Sequence, residues 1–174
     1  MKKIGVVGIG NILMGDDGFG PYVIKVMESR FSEPEGLCLL ELGTPGFDLA
    51  SHIAGFDVVI VVDTVKTKGA FGELKRYERP ELLIPPKRGV ETPHDPGLKE
   101  SLLSLQAFGS LPSEVVLIGA IPEQVLEGTG LTKPIKDSVE PAIKMVLDEL
   151  KRFGVSLLLR TPPLEPDIWW DRGK

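Results

Sequence analysis

A single cysteine, Cys38, leaves no internal disulfide framework to consider. It lies in the apolar run Leu37–Leu40 and reads as a buried, inert thiol. No apolar run approaches the ~20 residues a bilayer-spanning helix requires. Cationic clusters are missing as well: the formal net charge is −5 and the pI about 5.1, which argues against nucleic acid or an anionic membrane as a partner. There are only two histidines, His52 and His94, so any imidazole chemistry must draw on one of them. The familiar hydrolase signatures Gly-x-Ser-x-Gly and His-Glu-x-x-His do not occur. Met1-Lys-Lys runs straight into an apolar stretch and leaves no room for a signal peptide, so the expected location is the cytoplasm.

What is present is enough apolar residue, 42% of 174, to fill one core. The expectation is a single α/β domain over residues 1–160 and an irregular C-terminal tail over 161–174, which carries Trp169-Trp170. The most informative stretch is residues 4–20. Ile4 to Ile9 is a short apolar run of the kind that forms a strand buried on both faces. It breaks into glycines, then reaches the adjacent carboxylates Asp16 and Asp17, and a helical pattern begins near Gly20-Pro21. In an open α/β sheet, the loop leaving the carboxyl end of such a strand is where ligands bind.

The remaining chain alternates in the same way. Leu37–Glu41, Asp57–Asp63 and Glu114–Ala120 read as strands, and Gly72–Tyr77 as a weaker one, antiparallel to the rest. Helical spacing marks Val23 to Phe31, a short segment from Phe47 to Ile53, Leu98 to Leu105, and Val139 to Leu150. Pro134 and Pro141 mark where the last helix begins or kinks. Residues 78–93 hold four prolines and are expected to form a long loop that delivers His94. This order predicts a three-layer α/β/α fold around a mostly parallel, twisted sheet of five strands, with helices on both faces.

Phosphate binding is the first rival for the glycine turn. Gly8-Ile-Gly10 opens a dinucleotide fingerprint, but Leu13 stands where its third glycine must pack, and Glu41 is only a loose match for the ribose-binding acid. The spacing Gly10 to Gly15 fits a Walker loop, but Asp16-Asp17 follow in place of Lys-Ser/Thr. Two carboxylates at a helix start repel phosphate. A plainer role for them is N-capping, which both cannot easily perform together.

Three residues remain as a candidate constellation: Asp17 after the first strand, Asp63 at the end of the central strand, and His94 in the proline-rich loop. In a parallel sheet the first two leave by the same edge. Two carboxylates and an imidazole suit a divalent transition metal such as nickel or zinc and leave coordination positions open. Each also has an ordinary explanation, Asp63 in a turn and His94 as a helix cap, and residues so far apart carry no diagnostic spacing. His52 reads as a packing or surface residue, not a ligand.

Several stretches together resemble the hydrogenase maturation endopeptidases. These are Gly8–Gly20, Glu41-Leu-Gly-Thr-Pro-Gly46, Val58–Asp63, Thr92-Pro-His94 and Pro134–Glu140. The resemblance implies an endopeptidase that removes the C-terminal extension of a nickel–iron hydrogenase large-subunit precursor after nickel insertion. It implies that nickel carried by the substrate is recognised by Asp17, Asp63 and His94, the catalytic and metal-facing residues. Zinc or cadmium would substitute in vitro. Many members carry Glu where Asp17 stands and Asp where Glu41 stands. The implied partner is the large-subunit precursor, and the expected state is a monomer. A non-proteolytic metal-binding or chaperone module for a nickel-bearing partner, and a Rossmann-like nucleotide binder, are the alternatives.

Overall fold

The computed structural model describes residues 2–84 and 97–171, the side chain of Phe47 excepted. Strands β1 (Ile4–Ile9), β3 (Leu37–Gly43), β4 (Val58–Thr64), β5 (Leu74–Glu78) and β6 (Glu114–Ala120) form one sheet in the order β3-β1-β4-β6-β5. The first four are parallel, and β5 runs antiparallel to β6 at the edge. β1 and β4 are buried along their whole length, and their sequences accordingly show no polar alternation, β4 turning polar only at Asp63-Thr64.

Helices cover both faces. Helix α1 (Phe19–Arg30) packs with α5 (Lys133–Arg152) on one face, against Ile4, Val6, Val58, Ile60 and Val62. Helices α2 (Leu49–Ile53) and α4 (Gly97–Ala107) lie on the other face, against Val7, Ile9, Val59 and Val61. The strand period of two sorts the side chains: even-numbered residues of β4 meet α1, odd-numbered ones meet α4. The three-layer α/β/α architecture is thus the one expected from the order of elements.

Pro134 lies in the first turn of α5, where a missing N–H leaves no gap. Pro141 lies inside α5 on its exposed side, where the carbonyl it cannot serve faces water. The helix therefore runs through it.

Three features differ from the expectation. The segment after β5 holds a short helix, α3 (Arg79–Leu82), not an extended loop. Glu81 accepts the Glu78 N–H at 2.8 Å and Pro80 lies in its first turn, a capping arrangement that offsets the prolines nearby. A two-stranded antiparallel pair joins β2 (Phe31–Ser32) to β7 (Leu158–Leu159). Cys38 is half-buried, because β3 is an edge strand and its outward face is only partly covered.

After β7 the chain returns over α1. Leu164 N–H bonds Ser29 O at 2.9 Å, Arg160 Nε reaches Phe31 O at 2.8 Å, and Lys136 pairs with Asp171 at 2.7 Å. Trp170 is buried against the core while Trp169 stands exposed, with the two rings edge to face at 5.7 Å.

Candidate active site at the carboxyl edge of the sheet

The carboxyl ends of β1 and β4 are neighbours, in register from Ile4 opposite Val58 to Gly8 opposite Val62. Whatever leaves these two strands emerges side by side. The β1–β3 register shifts between Gly8 and Ile9, where Leu42 of β3 is skipped, and Gly10 follows with φ +147°, its N–H bonded to Gly43 O at 2.8 Å. A Cβ at Gly10 would overlap the backbone carbonyl of Asp17, so the turn requires glycine here. The half-match to a dinucleotide fingerprint is therefore accounted for by a backbone that folds tightly back on itself.

Asn11 then organises the loop. Its side-chain oxygen accepts the Leu13 N–H at 3.0 Å and its carbonyl accepts the Met14 N–H at 3.0 Å. A single 3₁₀ turn, Gly15–Gly18, carries Asp16 and Asp17 into α1. The start of α1 lies very close to the sheet: a Cβ at Gly20 would overlap the carbonyl oxygens of both Ile9 and Val62. That close approach carries the acidic turn over the ends of β1 and β4.

The N-cap of α1 is Gly18, which has no side chain to cap the helix, so neither aspartate occupies the capping position. The two carboxylates instead divide their tasks. Asp16 is wholly buried and faces residues more than a hundred positions later in the chain. Its Oδ2 accepts the N–H groups of Glu123 (2.9 Å) and Gln124 (2.8 Å) and the Thr132 hydroxyl (2.9 Å), and its Oδ1 accepts the Thr132 N–H (2.7 Å). With four donors its charge is fully engaged, as a buried carboxylate must be. Asp16 therefore pins the loop between β6 and α5 beside the acidic turn. Backbone bonds from Gly15 N to Gly128 O (2.8 Å) and from Gly128 N to Leu13 O (2.9 Å) complete the join.

Asp17 turns the other way. It is nearly inaccessible, and its Oδ2 accepts the Asn11 N–H at 2.9 Å. Its Oδ1 meets the hydroxyl of Thr64, the last residue of β4, at 3.4 Å. Asp63 is wholly buried one residue earlier, and its Oδ1 accepts the Thr64 N–H at 2.7 Å. Asp17 and Asp63 thus both touch Thr64 at the same sheet edge.

His94 lies outside the described residues. The next described residue, Gly97, opens α4 and packs on the Gly46 carbonyl. Gly46 belongs to the turn that follows β3, and Gly43, the last residue of β3, accepts the Gly10 N–H, so the start of α4 adjoins the acidic turn through the end of β3 and its turn. The described residues alone hold no group of three or more His, Cys, Asp or Glu side chains able to share a metal ion. His52, in α2, is exposed. Glu41 is exposed as well and accepts the Gly43 N–H at 2.9 Å, which holds the turn after β3.

Sequence reasoning missed two residues, Asp16 as a loop anchor and Thr64 as a contact of both carboxylates. The adjacent pair of aspartates signalled two tasks, but no local pattern pointed to residues 123–132. A hydroxyl next to Asp63 at the end of the central strand was the only trace of Thr64.

No described helix is long and apolar enough to cross a membrane. A sequence model described as hydrogenase maturation protease matches residues 21–149. The hydrogenase 2 maturation protease of Escherichia coli (strain K12) is 32% identical over 162 residues, 91% of this chain and 96% of that protein. Among solved structures, the hydrogenase maturating endopeptidase HybD from E. coli superposes with a TM-score of 0.83 at 31% identity, covering 92% of this chain and 99% of that one. The [NiFe] hydrogenase maturation protease HybD from Thermococcus kodakarensis gives a TM-score of 0.69 at 25% identity, covering 85% and 98%. The matched model spans the central strand β4 and most of α5, the relatives cover nine-tenths of the chain, and the chain belongs to the hydrogenase maturation proteases, a family of peptidases.

Proposed function

We propose that this protease removes the C-terminal extension of a nickel–iron hydrogenase large-subunit precursor, and that nickel already seated in that precursor is what it recognises. Asp17, Asp63 and His94 are assigned to face the nickel. The observation that carries this reading is the delivery of Asp17 and Asp63 to one sheet edge, both touching Thr64. Two carboxylates with a neutral imidazole are competent donors for a divalent transition ion and leave positions for ligands from the precursor. A substrate that brings its own metal needs only a partial ligand set from the protease.

The residues suit this task physically. Asp17 is held by Asn11 and Thr64, and Asp63 by the amide of Thr64, so neither carboxylate must be ordered when the precursor arrives. Both are sheltered from bulk water, which strengthens their attraction for a cation. Hydrolysis of the scissile peptide consumes one water, and a carboxylate at the site would accept its proton. The ion would polarise the scissile carbonyl.

The test is the mass of the precursor before and after incubation with this protein. Nickel-loaded precursor is expected to lose its extension, and nickel-free precursor to stay intact. Equal cleavage of both, or of neither, overturns the proposal; tight binding without mass loss would instead identify a non-proteolytic partner. The variants Asp17→Ala and His94→Ala are expected to abolish processing while melting with the wild-type cooperativity. Normal processing by either would remove that residue from the site.

A further inference from the structure

The two carboxylates reach the end of β4 from different elements, Asp63 from the strand itself and Asp17 from the turn before α1. Asp63 and Thr64 are consecutive in β4, so their side chains leave by opposite faces. Asp17 approaches from the α1 face, the face of Val62 and Thr64. Thr64 touches both carboxylates. Thr64 donates its backbone N–H to Asp63 Oδ1 at 2.7 Å and presents its hydroxyl to Asp17 Oδ1 at 3.4 Å.

We propose that Thr64 is a positioning residue that sets the two carboxylates relative to each other and to an incoming divalent ion; this rests on the reading of Asp17 and Asp63 as metal-facing. The hydroxyl is the only polar side-chain group that β4 directs to the α1 face, where Val58, Ile60 and Val62 precede it. Thr64 is wholly buried. Burying a hydroxyl costs free energy unless a good hydrogen bond repays it, and 3.4 Å is a long one. Valine would serve packing and strand propensity equally well at this position. The value of the hydroxyl lies in where it stands. With the Asn11 N–H on Oδ2 and the Thr64 hydroxyl on Oδ1, the Asp17 carboxylate is contacted at both ends and its plane is set. The contact to Thr64 shortens when a cation draws the Asp17 carboxylate to one orientation, as hydrogen bonds of apo sites commonly do.

The experiment compares wild type with Thr64→Val, Thr64→Ser and Asp17→Ala. Thr64→Val removes only the hydroxyl; the β-branch and the amide that holds Asp63 remain. Three readouts are taken: affinity for cadmium or nickel by calorimetry, the urea midpoint, and kcat/KM on nickel-loaded precursor. Partners that orient a ligand typically contribute 10- to 100-fold to metal affinity, and the long contact places Thr64 at the low end, about tenfold. Thr64→Val is expected to lose that tenfold with a near-unchanged urea midpoint and a parallel fall in kcat/KM, and Thr64→Ser to recover most of it. Wild-type affinity in Thr64→Val, with binding lost in Asp17→Ala, overturns the role of Thr64 and leaves the site reading standing. A fall in affinity that tracks the urea midpoint and is not rescued by serine also overturns it, because the effect is then one of folding. Wild-type affinity in Asp17→Ala, or no uptake of either ion by the wild type, overturns the site reading and Thr64 with it.

Discussion

Asp16→Ala isolates what the buried anchor contributes. The substitution removes one wholly buried carboxylate and strands four donors: the amides of Glu123, Gln124 and Thr132, and the Thr132 hydroxyl. A hydrogen bond to a charged group contributes about 1.5–3 kcal/mol, so a simple sum would be several times larger than the effect to be expected. Residues 123–128 are exposed, and once the carboxylate is gone the loop can lift and its amides can hydrate. The loss is therefore nearer one or two such bonds, about 3 kcal/mol. At a typical urea slope of about 2 kcal/mol per molar, the midpoint should fall by about 1.5 M. Amide hydrogen exchange gives the sharper reading. The Glu123, Gln124 and Thr132 amides should lose protection well before those of β1 and β4, because local opening of the loop becomes easier than global unfolding. Asp16→Asn retains one acceptor oxygen and points an NH₂ at the remaining donors, so it should recover less than half. A change of under about 0.5 kcal/mol, the range of ordinary surface substitutions, would refute the argument that Asp16 holds the loop.

Gly20→Ala tests the approach of α1 to the sheet. Helix propensity alone would make alanine stabilising by about 1 kcal/mol. Overlap with the Ile9 and Val62 carbonyls reverses the sign, and a loss of about 3 kcal/mol or failure to fold is expected in thermal melts; a gain would show that α1 can move away. The Glu149 carboxylate ties α5 to β5 through Arg76, with Nε to Oε1 at 2.6 Å and Nη2 to Oε2 at 3.2 Å. Burial pushes the Glu149 carboxyl up, but the Arg76 guanidinium, helped by Arg152, outweighs it and holds the group below its ordinary value. A depressed carboxyl stabilises the fold above its unfolded pKa, and that contribution is lost as pH falls through the folded value. Urea midpoints of the wild type should therefore drop on acidification below about pH 4.5 more steeply than those of Glu149→Gln; parallel curves would refute the coupling.

The parts of this fold legible in the sequence are those encoded by local periodicity. The unbroken runs of β1, β4 and β6 announce strands buried on both faces, and their alternation with helical spacing leads to a parallel sheet. The apolar period of α5 is strong enough to survive two prolines. Shorter elements were not legible: β2 and β7 are two-residue strands that exist only because distant segments meet, and α3 hides in a proline-rich stretch. Trp170 was one of an adjacent pair that sequence could not divide into a buried ring and an exposed one.

The site divides in the same way. The glycine turn, the pair of aspartates and Asp63 at the end of the central strand could be named from the chain alone, since each sits at a break in a local pattern. His94 was named with them and lies outside the described residues. Only the tertiary structure decided that Asp16 turns to residues 123–132 while Asp17 turns to Thr64, because adjacent side chains on one turn point in different directions. Periodicity reports which face of an element is apolar. Which distant group stands opposite a given carboxylate depends on strand order, register and the close packing of α1 at Gly20, and those are properties of the assembled sheet.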